Sequence, residues 1–426
     1  METVTDLIKN VPIPRMVRVR QHFDATCIPT EELPARLLEE LKHPGLLDSV
    51  RPGMRIAITC GSRGISHYAL MVKTMVDYLK SLGARPFIVG AMGSHGGATE
   101  AGQKQILTDY GITEEAMGCP VMCQMDTVEI GKSQIRHQPV YVDKNAAEAD
   151  GILLFNRIKP HTSYRGRYES GLMKMMAIGL GKQKGAESIH GQSPAIMHEL
   201  IEEYGKTILE KCPVLGGIAL VENPYDEPRI LQAMTPQEIL TEEPKLRDLS
   251  YTTIATLPFE ECDVLVVDKI GKNISGDGMD PNVSGRFCTK YASGGIDAEK
   301  VVVLDLTEET HGNAQGVGLA DVTTRRLFDK MKLEMTYPTG VTNTFLHLMK
   351  IPMIMDNDRE ALQLALRSCP EAEDPANPKL IRIPDTAHIE YLEVSESMLP
   401  LVRENPRLEV LSEPYDLQFG PDGNLW

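Results

Sequence analysis

Long apolar runs are missing from this chain: no stretch approaches the ~18 consecutive apolar residues that a bilayer-spanning helix needs. The opening segment, METVTDLIKNVPIPRMVRVR, lacks the apolar core of a secretory leader, so a cytoplasmic location is expected and no membrane partner. Aromatics are scarce at 5%, with a single Trp, which leaves packing to Val, Ile, Leu and 21 Met. An excess of positive charge is also lacking. With 44 Lys and Arg against 60 Asp and Glu, the net charge of −16 repels phosphate backbones and argues against nucleic-acid binding. Paired cysteine motifs are absent as well. Of the eight cysteines only Cys119 and Cys123 are close, and their spacing, with Pro120 inside, fits neither a CxxC redox motif nor half of a zinc knuckle. Free or buried thiols in a reducing compartment are expected.

What is present is an alternation of short β-branched runs with helical patterns. Arg55–Thr59, Pro86–Ala91, Gly151–Asn156, Gly217–Val221, Val264–Asp268 and Val301–Leu306 are predicted as buried strands. Their near-continuous apolar character suits parallel strands covered on both faces. Ser66–Leu82 has one broad apolar face, with Ser66 placed to cap it and Gly83 to end it. Ala195–Lys211 is a second amphipathic helix behind Pro194. Such alternation argues for α/β architecture. Thr235–Thr256 is rich in Pro, Glu and Thr, shows little periodicity, and is expected to be a linker; the segment from Pro370 is expected to wrap the surface.

Three loops fall where ligands of open α/β sheets sit, at the carboxyl ends of predicted strands. In Cys60-Gly61-Ser62-Arg63-Gly64, the glycines admit close backbone approach and Arg63 can clamp a carboxylate bidentately; the plain alternative is a surface Arg in a tight turn. In Gly93-Ser94-His95-Gly96-Gly97, His95 is a candidate acid–base group rather than a turn residue. Asn156–Arg167 gathers Arg157, Lys159, Arg165 and Arg167 around His161, against the plain alternative of an exposed charged loop. The chain then enters a Gly- and Met-rich surround in which Lys174 is expected to be partly desolvated and suited to covalent chemistry, or else to snorkel beside a core helix. His190 follows, a lone His able to ligate a metal if a cofactor supplies the other ligands, whereas His198 beside Glu199 is expected at the surface. Gly179-Leu180-Gly181-Lys182 is not a phosphate loop, since Gln183 stands where Ser or Thr should follow. Gly276–Asp280 lacks the closing Glu of a calcium loop, and no GxSxG elbow occurs.

In shared order and spacing, these motifs resemble the lactate racemase family of nickel-pincer 2-hydroxyacid racemases and epimerases, over roughly residues 50–290. Arg63 resembles the family's substrate-clamping Arg, Gly93-Ser94-His95 its first catalytic His motif, and Pro160-His161 its second. Ser170-Gly171-Leu172-Met173-Lys174 resembles the loop whose Lys is linked to the cofactor, and the spacing from Lys174 to His190 matches that to the nickel-ligating His. The resemblance implies two α/β domains with mostly parallel sheets flanked by helices and the active site in the cleft between them. Residues 1–256 would form the catalytic, cofactor-binding domain, and residues 257–426 would close the cleft. It implies a nickel-pincer nucleotide (pyridinium-3,5-bisthiocarboxylic acid mononucleotide nickel) attached covalently at Lys174 and ligated by His190, with maturation enzymes as partners. Protein made without those enzymes is expected to lack it. It also implies proton-coupled hydride transfer at C2 of a small 2-hydroxyacid, with His95 and His161 as proton carriers on opposite sides.

Departures are specific. Glu169-Ser170-Gly171-Leu172-Met173 stands where the family often has two glycines, and the interval from His161 to Lys174 is longer than in its best-known members. In the second domain Lys269 and Lys272 take the place of a polar cluster and are candidates for substrate contact. The extra cations Lys159, Arg165 and Arg167 suggest a substrate larger or more polar than lactate. Two other function classes stay open: a nickel-independent lyase or dehydratase on the same scaffold, and a non-catalytic binder of anionic metabolites.

Overall fold

The computed structural model describes residues 2–426, and the chain divides into two compact units. A central unit spans Asp24–Ile254; a terminal unit joins the residues up to Phe23 with Ala255–Trp426.

The central unit is built on a six-stranded sheet whose strands, in chain order, are β1 (Arg55–Cys60), β2 (Arg85–Gly90), β3 (Val121–Met122), β4 (Gly151–Arg157), β5 (Val214–Glu222) and β6 (Pro228–Met234). Their order across the sheet is β3-β2-β1-β4-β5-β6, the doubly wound order, and only β6 runs antiparallel to its neighbour. Alternate residues of each strand feed two separate cores, as the two-residue repeat of a strand demands. Ile152 and Leu154 face one with Phe87 and Ala219, while Leu153 and Phe155 face the other with Ile58 and Leu220. That double burial is why these strands read as unbroken apolar runs. On the second face lies the helix Tyr68–Ser81, which starts two residues after the predicted Ser66. Ser66 does not cap it: the N-cap position falls on His67, which is left-handed, and the Ser66 N–H donates to the Glu222 carboxylate. Gly83, at φ +79°, ends it as predicted.

The expected linker is instead an 18-residue helix, Pro236–Thr253. Thr235 and Glu238 form a capping box around Pro236 at the first turn. Its buried stripe is Ile239, Glu243, Leu246, Ser250 and Thr253, and the polar members hide the helical period from a hydrophobicity pattern.

The terminal unit holds an eight-stranded mixed sheet in which Met353–Met355, Val322–Thr324, Asp297–Leu306, Glu261–Ile270 and Leu380–Ile383 run parallel. Tyr391–Ser395, Met16–Gln21 and Leu408–Val410 complete it by antiparallel pairing. Here the observed division departs from the expected one. The strand Met16–Gln21 belongs to this sheet, and the chain after Pro370 contributes three strands rather than a surface wrap. Antiparallel pairing across hundreds of residues leaves no local sequence mark. None of the eight cysteines forms a disulfide, and six of them are buried. Among the described residues no helix is long and apolar enough to cross a membrane.

Candidate functional site

From β1 the chain winds first to β2 and β3 on one side, then crosses to β4 on the other, so β1 and β4 flank the point where strand order reverses. Ligands of doubly wound sheets bind at the carboxyl ends of such strands. Arg63 lies just beyond the end of β1, His95 beyond β2 and His161 beyond β4, so the three predicted loops open from one sheet edge.

Lys174 comes from the segment that follows β4. One helical turn, Leu172–Lys174, runs into a π-helical stretch, Met175–Leu180, and then into the helix Lys182–His190. π-helical turns are rare and concentrate at functional sites. From Gly171 to Lys182 every residue is buried except Lys174, which keeps partial access. The start of the turn is held by Glu243 from the former linker: its carboxylate accepts the Met173 N–H at 3.1 Å. Gly171 leaves room for it, since a Cβ there would lie 2.3 Å from Glu243 Oε1. Burial pushes the Glu243 carboxyl up to about 8, so it is neutral through most of the physiological range.

The loops of β1 and β2 rest on this segment. Gly61 sits where a Cβ would come within 3.2 Å of Met175 Cε. Gly93 donates its N–H to the Gly179 carbonyl at 3.2 Å, and its φ of +59° favours glycine. The loop bearing His161 is tied at both ends: Asn156 Nδ2 donates to the Gly171 carbonyl at 2.8 Å, and Lys159 bridges to Ser170.

His161 is the most constrained of the candidates. Its backbone N–H donates to Glu169 Oε2 at 2.8 Å, and its ring stacks on Tyr164 at 4.1 Å between centroids. The Ser163 N–H donates to His161 Nδ1 at 3.0 Å, so the neutral ring carries its proton on Nε2. Desolvation, then the charges of Lys174, His190, Arg165 and Lys159, hold the imidazole well below the usual range. Burial and Lys174 likewise lower His190 to about 4. Lys174, His161 and His190 are therefore close enough to act on one another, and both rings are neutral at pH 7. The buried Glu169 carboxylate organises the loop by accepting from Tyr251 Oη at 2.7 Å, with Arg165 and Arg247 beside it at 3.6 and 3.5 Å.

His95 differs: it is exposed, on a loop whose shape is set by backbone contacts. Arg63 is also exposed and acts on the Tyr110 hydroxyl, which donates to the Ser62 carbonyl at 2.9 Å. Two of the extra cations have internal duties. Arg165 donates to the His161 carbonyl, and Arg167 to the Leu240 carbonyl at 2.8 Å. His198, expected at the surface, is half-buried against Gly166 of the His161 loop. In the terminal unit Lys269 is exposed, while Lys272 donates to the Gly276 carbonyl at 2.6 Å and Gln315 Oε1 at 2.8 Å.

Among the described residues no three His, Cys, Asp or Glu side chains are grouped to hold a metal ion. A metal beside Lys174 could take a neutral imidazole donor from His190, with its remaining donors supplied by the bound group. The residues thus fit a metal–organic cofactor better than a bare ion.

Residues 10–200 match the family model described as lactate racemase N-terminal domain. Over that segment the chain is similar to the lactate racemase N-terminal domain. The family resemblance read from the motifs, and the α/β class with mostly parallel, helix-flanked sheets, are both borne out. Two solved structures share the fold. One is a protein from Thermotoga maritima, at 13% identity and TM-score 0.53, covering 86% of this chain and 99% of its own. The other is the lactate racemase apoprotein from Thermoanaerobacterium thermosaccharolyticum, at 13% identity and TM-score 0.50, covering 88% and 99%. No curated protein matches the sequence. The lactate racemase-type segment includes Arg63, His95, His161, Lys174 and His190, whereas Glu243 lies beyond it. Glu243 was missed because it sits in a segment without apolar periodicity; the capping box before it was the available sign of a helix.

Proposed function

We propose that this protein is a racemase or epimerase that inverts C2 of a 2-hydroxyacid, using a nickel-pincer nucleotide held by Lys174 and His190. The clustering of Lys174, His190 and His161 beside a π-helical turn is the observation that carries this reading. When bound, the cofactor supplies reversible two-electron oxidation at C2, so that the carbon passes through a flat 2-keto state. The chain supplies the rest. Lys174 is the one accessible side chain in its run and would form the covalent link. His190, neutral at pH 7, has a lone pair to offer nickel.

Arg63 would bind the substrate carboxylate through two parallel hydrogen bonds. Inversion calls for a proton carrier on each side of C2, and we assign His95 and His161. With its proton on Nε2, His161 would first meet the C2 oxygen as a hydrogen-bond donor, and would accept a proton only after giving up the Ser163 contact. We assign Lys159, which stands beside His161 on the loop after β4 and acts on its imidazole, to a second polar or anionic group of a substrate larger than lactate. Lys269 and Lys272 remain proposed contacts from the terminal unit.

The test is chiral chromatography of a 2-hydroxyacid panel incubated with protein matured by the cofactor enzymes. Racemisation of at least one acid larger than lactate is expected, lost in His95→Ala and His161→Ala while nickel is retained. Turnover of lactate alone would reject the substrate class, and equal activity in nickel-free protein would reject the cofactor.

A further inference from the structure

Lys182 is absorbed by neither the covalent link nor the proton carriers, yet it is the most unusual cation in the central unit. It is fully buried, and its backbone adopts φ +52° where the π-helical stretch gives way to the next helix. A left-handed residue with a Cβ costs roughly 1–2 kcal/mol. Burying an ammonium adds a desolvation cost that an ion pair seldom more than offsets. A Met of similar volume would avoid that desolvation cost. What Met could not do is hydrogen-bond.

The ammonium has three protons and three partners. Nζ donates to the Gly90 carbonyl at the end of β2 at 2.5 Å, to Gln103 Oε1 at 3.1 Å, and lies 3.3 Å from the equally buried Asp143 Oδ2. The contact to Oε1 fixes which way the Gln103 amide points. Gln103 Nε2 then donates to the Gly93 carbonyl at 2.9 Å and to the His95 carbonyl at 3.3 Å. Gln103 is itself buried, so its amide has no solvent to turn to. One end of this chain of bonds is on the segment that carries Lys174, and the other grips the backbone of His95.

We propose that Lys182, acting through Gln103, is the positioning residue that holds the His95 loop in register with the Lys174 segment. This rests on the reading of His95 as a proton carrier. Backbone contacts give the loop its shape, and Gln103 adds a side-chain tie from it to the Lys174 segment; a misplacement of about 1 Å can lower turnover by about a hundredfold.

Gln103→Glu is the sharpest probe. The carboxylate keeps an acceptor for Lys182 and nearly the same shape, but it presents no N–H to Gly93 and His95. Lys182→Met combined with Asp143→Asn is the second, since it removes the ammonium without leaving a buried carboxylate alone. Amide exchange is read on peptides covering Gly93–Ala98 and Gly171–Leu180, with thermal melting alongside. In both variants, exchange at Gly93–Ala98 is expected to rise by about tenfold or more while Gly171–Leu180 stays unchanged. In matured enzyme kcat should fall by about tenfold or more with KM within about twofold, because a misplaced base affects the transition state and not ground-state binding. Unchanged exchange at Gly93–Ala98 overturns the proposal. So does exchange that rises equally in both segments with a lower melting temperature, which marks a purely stabilising network. If the loop loosens but kcat does not move, positioning of a proton carrier is overturned. If the wild-type matured protein racemises nothing, the functional reading falls, and the exchange arm still decides whether Lys182 holds the loop.

Discussion

The two loops that carry the proposed proton carriers are built on opposite principles. The His161 loop is held by side-chain charge: a buried Glu169 meets Arg165, Arg247, Tyr251 and two backbone N–H groups. The His95 loop is held by backbone proximity. A Cβ on Gly96 would lie 2.5 Å from the Gly102 carbonyl carbon, and one on Gly102 would lie 1.9 Å from the Gly96 oxygen. The consequence is a crowded, neutral imidazole with its tautomer set by Ser163 on one side, and an exposed imidazole on the other. A pair of proton carriers need not be equivalent; one can be shielded while the other exchanges with solvent.

Glu169→Ala should have the largest effect. It removes the buried acceptor shared by Arg165, Arg247, the Tyr251 hydroxyl and the His161 and Gly166 N–H groups, and a loss of about 3–5 kcal/mol is expected in denaturant unfolding. The His161 loop should lose exchange protection while the His95 loop keeps it. Gly102→Ala is the converse: with a methyl 1.9 Å from a carbonyl oxygen, the backbone must shift, at a cost of about 1–3 kcal/mol, and the His95 loop should be the one to loosen. Both loops loosening together in either variant would break the distinction between them.

Glu243 tests the segment on which both loops depend. Its carboxyl ionises near 8 in the folded chain against 4.5 ordinarily, so between those pH values the unfolded chain gives up a proton that the folded chain keeps. Stability from this group is therefore intact below about pH 4.5, falls as pH rises to about 8, and is flat above. Glu243→Gln should remove that slope from the melting temperature measured across this range. The smallest effect is expected for Arg167→Ala, an exposed side chain on one carbonyl, at no more than about 0.5 kcal/mol and with both loops unchanged.

The strands were legible in the sequence because double burial makes them continuous apolar runs; five of the six predicted runs lie within strands, and Pro86–Ala91 overruns its strand by one residue. The loops followed, since strand ends fix where Arg63, His95 and His161 emerge. What was not legible depends on contacts far apart in sequence. Met16–Gln21 pairs with Tyr391–Ser395, and Glu243 reaches back to Met173. Arg165 and Arg167 looked like substrate contacts because a charge count cannot show that a guanidinium already faces a carbonyl of its own chain. Nothing in the local sequence shows that Lys182 is buried or that it bonds Gly90 and Gln103, which come from β2 and the helix after it.

Attachment of the cofactor at Lys174 is tested by the intact mass and nickel content of protein produced together with the cofactor-maturation enzymes. Wild type should show a covalent mass gain with stoichiometric nickel, Lys174→Ala no gain, and His190→Ala a gain without retained nickel. An unmodified Lys174 under these conditions, or a mass gain that persists in Lys174→Ala, would contradict that attachment.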